Sequence, residues 1–415
     1  MSRIAVVGGG IAGMGAAWAL SRQHAVTLFE AGDDLGGHTH THDIVLGDRQ
    51  YAVDSGFIVF NPDNYPLLSR LFEELDVASQ PTTMSFSVSD ARTGLEYNAG
   101  DLAGLFCQKR NLVSPAFWRM LADLRRFYRQ APAVLAEPAP GPTLGDYLAL
   151  RGYSMMFRDA HIVPMASALW SSPSSTILDF PMQHLVRFMD NHHMLQLTGR
   201  PAWRVVSGGS SQYVHALRRL WKVDLQLGCP VQQVRRIDGR VQLYAGTEEH
   251  AFDEVVLACH ADDALTLLTD ADDQERAVLG GITYQSNETL LHTDRRVLPC
   301  DRRAWAAWNA RVPAQPDAPC TVSYWMNALQ SLDAPQDFIV SLNQAADIDP
   351  TKVLRRMHYR HPHQTPATVT AQAALPEIQG RGHVWHAGAG WGFGFHEDGL
   401  RSGIQVARAL GAAWP

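Results

Sequence analysis

The chain opens on a short apolar run, Arg3 to Val7, followed at once by a glycine-rich turn, an apolar stretch reaching Leu20, and a second short run, Val26 to Phe29, that stops at Glu30. Run length and spacing predict strand, helix and strand in that order. Strand-like pattern returns late, from Gly228 through Tyr244 and again from Phe252 to Cys259. Within it, Asp253 to Ala258 turns continuously apolar, as a strand covered on both faces does. Between these pieces lie a helical, aromatic-rich block at about 100–200 and a mixed block at about 265–375. Alanine and proline dominate Ala131 to Pro142, which predicts an irregular connection between two helices of one domain. At 415 residues the chain exceeds what one core usually holds. Segments 1–80, 200–262 and 376–415 are therefore expected to form one discontinuous nucleotide-binding domain, and 81–199 with 263–375 an interleaved α+β substrate domain.

The opening segment has every part of a dinucleotide-binding fingerprint. Gly8 permits the tight turn, Gly10 lets backbone approach a pyrophosphate, Gly13 lets helix pack on strand, and the helix start at Ile11 and Ala12 faces the phosphates. Glu30 stands where a carboxylate accepts hydrogen bonds from the adenosine ribose, and its charge disfavours a 2′-phosphate. Ile4 to Ser21 carries no charge and approaches the length of a membrane helix or signal core, but five glycines in that window argue against either.

Composition removes several function classes. A net charge of −7 gives no footprint for nucleic acid. The five cysteines are scattered, with no C-x-x-C pair, which suits reduced thiols in a cytoplasm and offers no zinc site. His38, His40 and His42 alternate, yet no acidic or cysteine partner is in register with them, so no metal is expected. Two further glycine-rich segments favour flavin over nicotinamide: Gly36-Gly37-His38, and Gly388 to Gly403 leading into an apolar helix, Ile404 to Leu410. Backbone amides and a helix start near the chain's end are what the pyrimidine edge of a flavin needs when reduction places charge there.

With Val53-Asp54-Ser55-Gly56, Pro230-Val231 and the Asp253 to Ala258 strand added, these segments resemble the flavin-containing amine oxidoreductase superfamily over nearly the whole chain. Its members include monoamine oxidases, carotenoid desaturases, protoporphyrinogen oxidase and a polyunsaturated fatty-acid isomerase. More narrowly, Asp54 to Asn61, Arg200 to Arg204 with Ser207 to Ser210, Tyr324 to Asn327 and Phe395 to Gly399 resemble a bacterial subgroup described as predicted NAD/FAD-binding proteins, some associated with cyclopropane and furan fatty-acid metabolism. The resemblance implies an α/β fold with a glutathione-reductase-like FAD-binding Rossmann domain and non-covalent FAD. It places Gly8, Gly10, Ile11, Ala12, Gly13, Glu30, Gly37, His38, Gly56, Val231, Gly394, Gly399 and Ser402 against the cofactor. Amine oxidases usually carry arginines where this chain has Gly32 and His38. Many also hold a lysine near flavin N5, but Lys109, Lys222 and Lys352 all lie away from the matching strand, Asn287 to His292.

What remains is flavin chemistry on an activated C–H bond, and an allylic position of an unsaturated acyl chain is such a bond. Phe57, Tyr65, Trp170, Tyr324, Trp325 and Trp391 are expected to line its site. His396, His161 and Asn61 are the candidates for base and polar positioning. From Phe106 to Arg129, apolar Phe117, Trp118, Leu121, Leu124, Phe127 and Tyr128 interleave with basic residues, so peripheral contact with the inner face of a membrane is expected through 106–129. The enzymatic alternatives are a double-bond isomerase and a small-amine oxidase; a flavin-holding electron-transfer module is the non-enzymatic one.

Overall fold

The structure is a computed structural model and describes residues 1–138, 141–170, 174–196, 199, 201–315 and 320–414. Arg200, quoted in the subgroup motif, lies outside the described residues, as do 139–140 of the alanine-proline connection.

Five strands form a wholly parallel sheet in the order Val223–Gln226, Ala25–Phe29, Arg3–Val7, Glu254–Leu257, Val384–His386. Arg3–Val7 occupies the centre, and Ile4, Ala5 and Val6 are fully buried, so the apolar run reflects cover on both faces. The first helix, Ile11–Leu20, is buried at every position and packs against the last helix, His396–Ala409. That crossing is tight. A Cβ at Gly403 would stand 2.1 Å from the Ala12 carbonyl oxygen, so only glycine lets the two backbones meet. Two details of the sequence-based expectation change here. The Phe252 to Cys259 run divides into an antiparallel strand, Glu248–Phe252, and the parallel Glu254–Leu257. The edge strand Val223–Gln226 was not expected at all, because no residue in it is fully buried and no apolar run marks it.

A second sheet of seven strands runs in the order Val353–Pro362, Tyr284–His292, Ile339–Leu342, Thr321–Trp325, Trp308–Val312, Phe86–Asp90, Leu95–Asn98. It is antiparallel except where Trp308–Val312 runs parallel to Phe86–Asp90. Val88, Tyr97, Ala310 and Val312 on this sheet share a core with Phe117, Phe127, Phe157 and Phe188 from the helical block. Ala131–Ala136, expected to be irregular, instead forms a tight 3₁₀ turn that directly continues the helix Pro115–Gln130. Among the described residues no helix is long and apolar enough to cross a membrane.

Candidate active site

One cavity of about 1160 Å³ runs from the carboxyl ends of the parallel strands to the face of the seven-stranded sheet. Val7, Phe29, Ala258 and Gly388 stand at or just beyond the ends of four of those strands and line it, the place where parallel α/β sheets hold ligands.

The inner end is built by local turn chemistry. The Gly8 amide donates to the Phe29 carbonyl at 2.9 Å, which ties the turn to the neighbouring strand. Glu30 braces the same turn, accepting from the Gly9 amide at 2.6 Å and the Gly32 amide at 2.8 Å. Gly10 precedes a helix with no side-chain cap, and a Cβ placed there would meet nothing within 4 Å. An uncapped helix start beside open space, with Gly8, Gly10, Ile11, Ala12, Glu30, Gly37 and Val231 all on the cavity wall, fits a dinucleotide pyrophosphate and its flanking sugars. Gly13 does not line the cavity; a Cβ on it would lie 1.9 Å from the Gly8 carbonyl oxygen, so it keeps the turn against the helix.

His38 stands where the family usually has arginine, and it does not carry charge in that role. Burial, with His361 and His260 close by, pushes its pKa well below the ordinary histidine value. Among the described residues Arg360 is the guanidinium on this part of the wall, and Asp262 and Asp263 already hold it. Further along, the Ser55 hydroxyl bonds both His42 Nε2 and the Tyr359 hydroxyl at 2.8 Å, and that hydroxyl lies 3.2 Å from His40 Nδ1. The alternating histidines thus make separate contacts: His40 and His42 join a hydrogen-bonded chain leading off the cavity wall, and His38 packs on Tyr359.

The next section joins early and late chain. Gly56 and Phe57 lie beside His38, and the Phe57 ring stacks on His396 at 3.9 Å with planes 10° apart. His396 Nε2 contacts Thr39 Oγ1 at 2.9 Å and the Tyr213 hydroxyl at 3.0 Å. Burial lowers its pKa to about 3, so it is a neutral hydrogen-bonding wall residue. Gly394 also lines the cavity. Gly399 and Ser402 stand behind the wall, where the Ser402 hydroxyl accepts from the Gly388 amide at 2.8 Å and donates to the Gly399 carbonyl at 2.7 Å. Glu397 accepts from the Leu67 and Leu68 amides and anchors the helix Pro66–Glu74.

The outer part is apolar and aromatic. Of the residues named from sequence for a substrate site, Phe57, Tyr65, Trp170 and Tyr324 line the cavity, joined by Phe86, Tyr128, Phe188, Trp203 and Trp308, which sequence reasoning missed. Histidines aside, the charged residues on the described wall are Glu30, Asp263 and Arg360, all at the dinucleotide end. Thr289, on the strand matched to the family lysine, lines the cavity with a buried hydroxyl that has no hydrogen-bond partner among the described residues. His161 sits on a π-helical turn, Arg158–Ile162, a distortion frequent at functional sites. The Tyr97 hydroxyl donates to the Ala160 carbonyl at 2.9 Å and so accepts from His161 Nδ1 at 2.8 Å, which leaves the imidazole lone pair on Nε2.

Besides Gly13, Gly399 and Ser402, three more expected positions fall off the wall. Asn61 is off the wall, with Oδ1 accepting from the Asn64 amide in a turn. Trp325 is also off it, because its indole donates to Asp337 and packs edge-on against Trp305. Trp391 belongs to a 3₁₀ turn and packs with the core beneath the parallel sheet.

The buried histidines predict marked acid lability. His184, His192, His361 and His386 are held neutral with pKa values near 4 by burial. Between pH 4 and the unfolded value of about 6.5 the unfolded chain binds more protons, so stability is complete above that window and falls as pH drops through it. Each such group contributes about 1.4 kcal/mol per pH unit. Thermal unfolding scans should show the midpoint falling steeply from pH 6.5 to 4.5; a flat profile would contradict the neutral assignment.

A model of the family "Flavin containing amine oxidoreductase" matches residues 11–411. The chain belongs to the flavin-containing amine oxidoreductase family. It is an FAD-dependent oxidoreductase with the mixed α/β fold of flavin amine oxidase structures. No curated protein matches the sequence. Solved structures similar in fold include the CLA-producing fatty acid isomerase from P. acnes, 17% identical over 98% of both chains with a TM-score of 0.70. Cyclohexylamine oxidase from Brevibacterium oxydans IH-35A is 16% identical over 99% of this chain and 98% of that one, with a TM-score of 0.71. Putrescine oxidase bound to putrescine is 13% identical over 99% of both chains, with a TM-score of 0.73.

Proposed function

We propose that this family member holds FAD non-covalently in a glutathione-reductase-like Rossmann arrangement and dehydrogenates an unsaturated acyl chain, a reading prompted by its resemblance to a bacterial subgroup of which some members are associated with cyclopropane and furan fatty-acid metabolism. Segments 1–80, 200–262 and 376–415 would carry the cofactor, with 81–199 and 263–375 enclosing the substrate. The observation that carries the substrate assignment is the outer cavity, where among the described lining residues no carboxylate meets a protonated amine and apolar or aromatic side chains dominate. The total volume also exceeds the roughly 300–1,000 Å³ of a one-ligand site, which suits a cofactor and a chain together.

When bound, the flavin supplies a hydride acceptor. His161 Nε2 takes the accompanying proton, Tyr97 holds its ring, and the aromatic wall excludes water from the reacting carbon. His396, neutral beside Phe57, donates or accepts hydrogen bonds at the inner end without adding charge. A double-bond isomerase is the second reading, favoured by the likeness in fold to a fatty acid isomerase.

Anaerobic mixing of the FAD-loaded protein with unsaturated phospholipid decides between them. Bleaching of the flavin band with a diene product is the expected result. A positional isomer without net bleaching would establish isomerisation instead. Bleaching by small amines but not by lipid would overturn both.

A further inference from the structure

We propose that the surface formed by Leu102, Leu112, Val113 and Trp118 docks in an anionic lipid bilayer and that the cavity opens beside it. Docking stands on the surface alone; delivery of a chain to the cavity rests on the acyl-lipid reading above.

Apolar residues inside a folded chain are normal, but long ones left in water in one place are not. Val113 is 81% exposed, Leu102 74%, and Leu112 and Trp118 50% each. Contacts tie them into one patch. The Trp118 indole donates to the Leu112 carbonyl at 2.9 Å and its ring lies 5.5 Å from Phe106, one turn beyond Leu102.

The charge around the patch selects the occupant. Residues 99–130 contain six basic side chains and two acidic ones, in a chain whose net charge is −7. Both acids are spoken for: Asp101 accepts from the Gly104 amide, and buried Asp123 pairs with Arg126. Lys109, Arg110, Arg119, Arg125 and Arg129 are exposed. Separate protruding apolar side chains rimmed by long cations suit the headgroup region of an anionic leaflet, where the stems snorkel and the apolar tips enter the acyl boundary. With no helix among the described residues able to span, the contact is peripheral.

This surface differs from the one the sequence suggested. Phe117 and Phe127 turn inward to the core, and Arg126 is engaged with Asp123 and the Tyr153 ring. The position of the cavity adds the second observation. Ala99 and Gly100 are exposed, line the cavity, and immediately precede the patch, while Tyr128 of the same helix forms its wall. An acyl chain leaving the leaflet would meet this opening without crossing water.

The test is vesicle flotation of the FAD-loaded protein with saturated phosphatidylglycerol vesicles, which offer the surface but no double bond to oxidise. Wild type should float at low salt, release in 0.5 M salt and ignore pure phosphatidylcholine. Leu102→Glu/Val113→Glu, at positions too exposed to matter for folding, should cut the floated fraction at least tenfold with flavin content and melting temperature unchanged. Lys109→Glu/Arg125→Glu should do the same. Wild type that fails to float, or variants that float like wild type, would overturn the proposal. So would conversion of a dimer to a monomer by Leu102→Glu/Val113→Glu, because the patch would then be an interface between copies. None of these outcomes depends on turnover, so a wrong substrate assignment leaves the result readable.

Discussion

Gly13→Ala should yield a protein that purifies without flavin. The added methyl would sit 1.9 Å from the Gly8 carbonyl oxygen and 3.1 Å from its carbon, both backbone atoms with nowhere to go. The Gly8 amide is bonded to Phe29, and Gly8 itself already uses a φ of +109° open only to glycine. Relief must come from moving the first helix, which is buried along its whole length and pinned by the last helix at Gly403. The cost should exceed about 3 kcal/mol, the range of severe overpacking. Absorbance near 450 nm after gel filtration and the thermal midpoint give the readout. Full flavin content at wild-type stability would show that the turn is not the cradle assigned to it.

His161→Phe should lower the turnover of unsaturated lipid by about 10²–10⁴-fold, the usual share of a positioned base. Phenylalanine keeps the ring volume among Phe86, Tyr97 and Phe157, so the flavin spectrum and melting temperature should hold. Tyr97→Phe separates base from scaffold. It removes the hydroxyl that fixes which nitrogen carries the proton, and about a tenfold loss in kcat with unchanged KM is expected. Stopped-flow reduction of the flavin isolates the chemical step. Undiminished reduction in His161→Phe would remove the base assignment and leave the residue a packing role.

The dinucleotide turn was legible because its causes are local. Gly8, Gly10, Gly13 and Glu30 act within thirty residues, and turn geometry fixes their spacing whatever the rest of the chain does. Gly394, just before the last helix, and His396, its first residue, could be placed because a glycine-rich stretch before an apolar helix again announces itself. The outer wall could not. Phe86, Trp308 and Tyr324 converge only through the order of the seven-stranded sheet, in which a parallel pairing links residues more than two hundred positions apart. Trp325 lies one residue from Tyr324 and faces away from the cavity, as strand alternation requires once the strand is known. Amphipathic pattern in Pro115–Gln130 was visible, yet a pattern alone does not say which face is core: Phe117 and Phe127 went in, and Trp118 stayed out.

The crossing of the first and last helices has a consequence for biosynthesis. The helix Ile11–Leu20 is synthesised more than three hundred residues before its partner, which begins at His396. Because the early turn is held by the late helix, the nascent chain lacks a finished receptacle for coenzyme throughout elongation. Loading is therefore a late event, one that waits for the last helix to dock on the first.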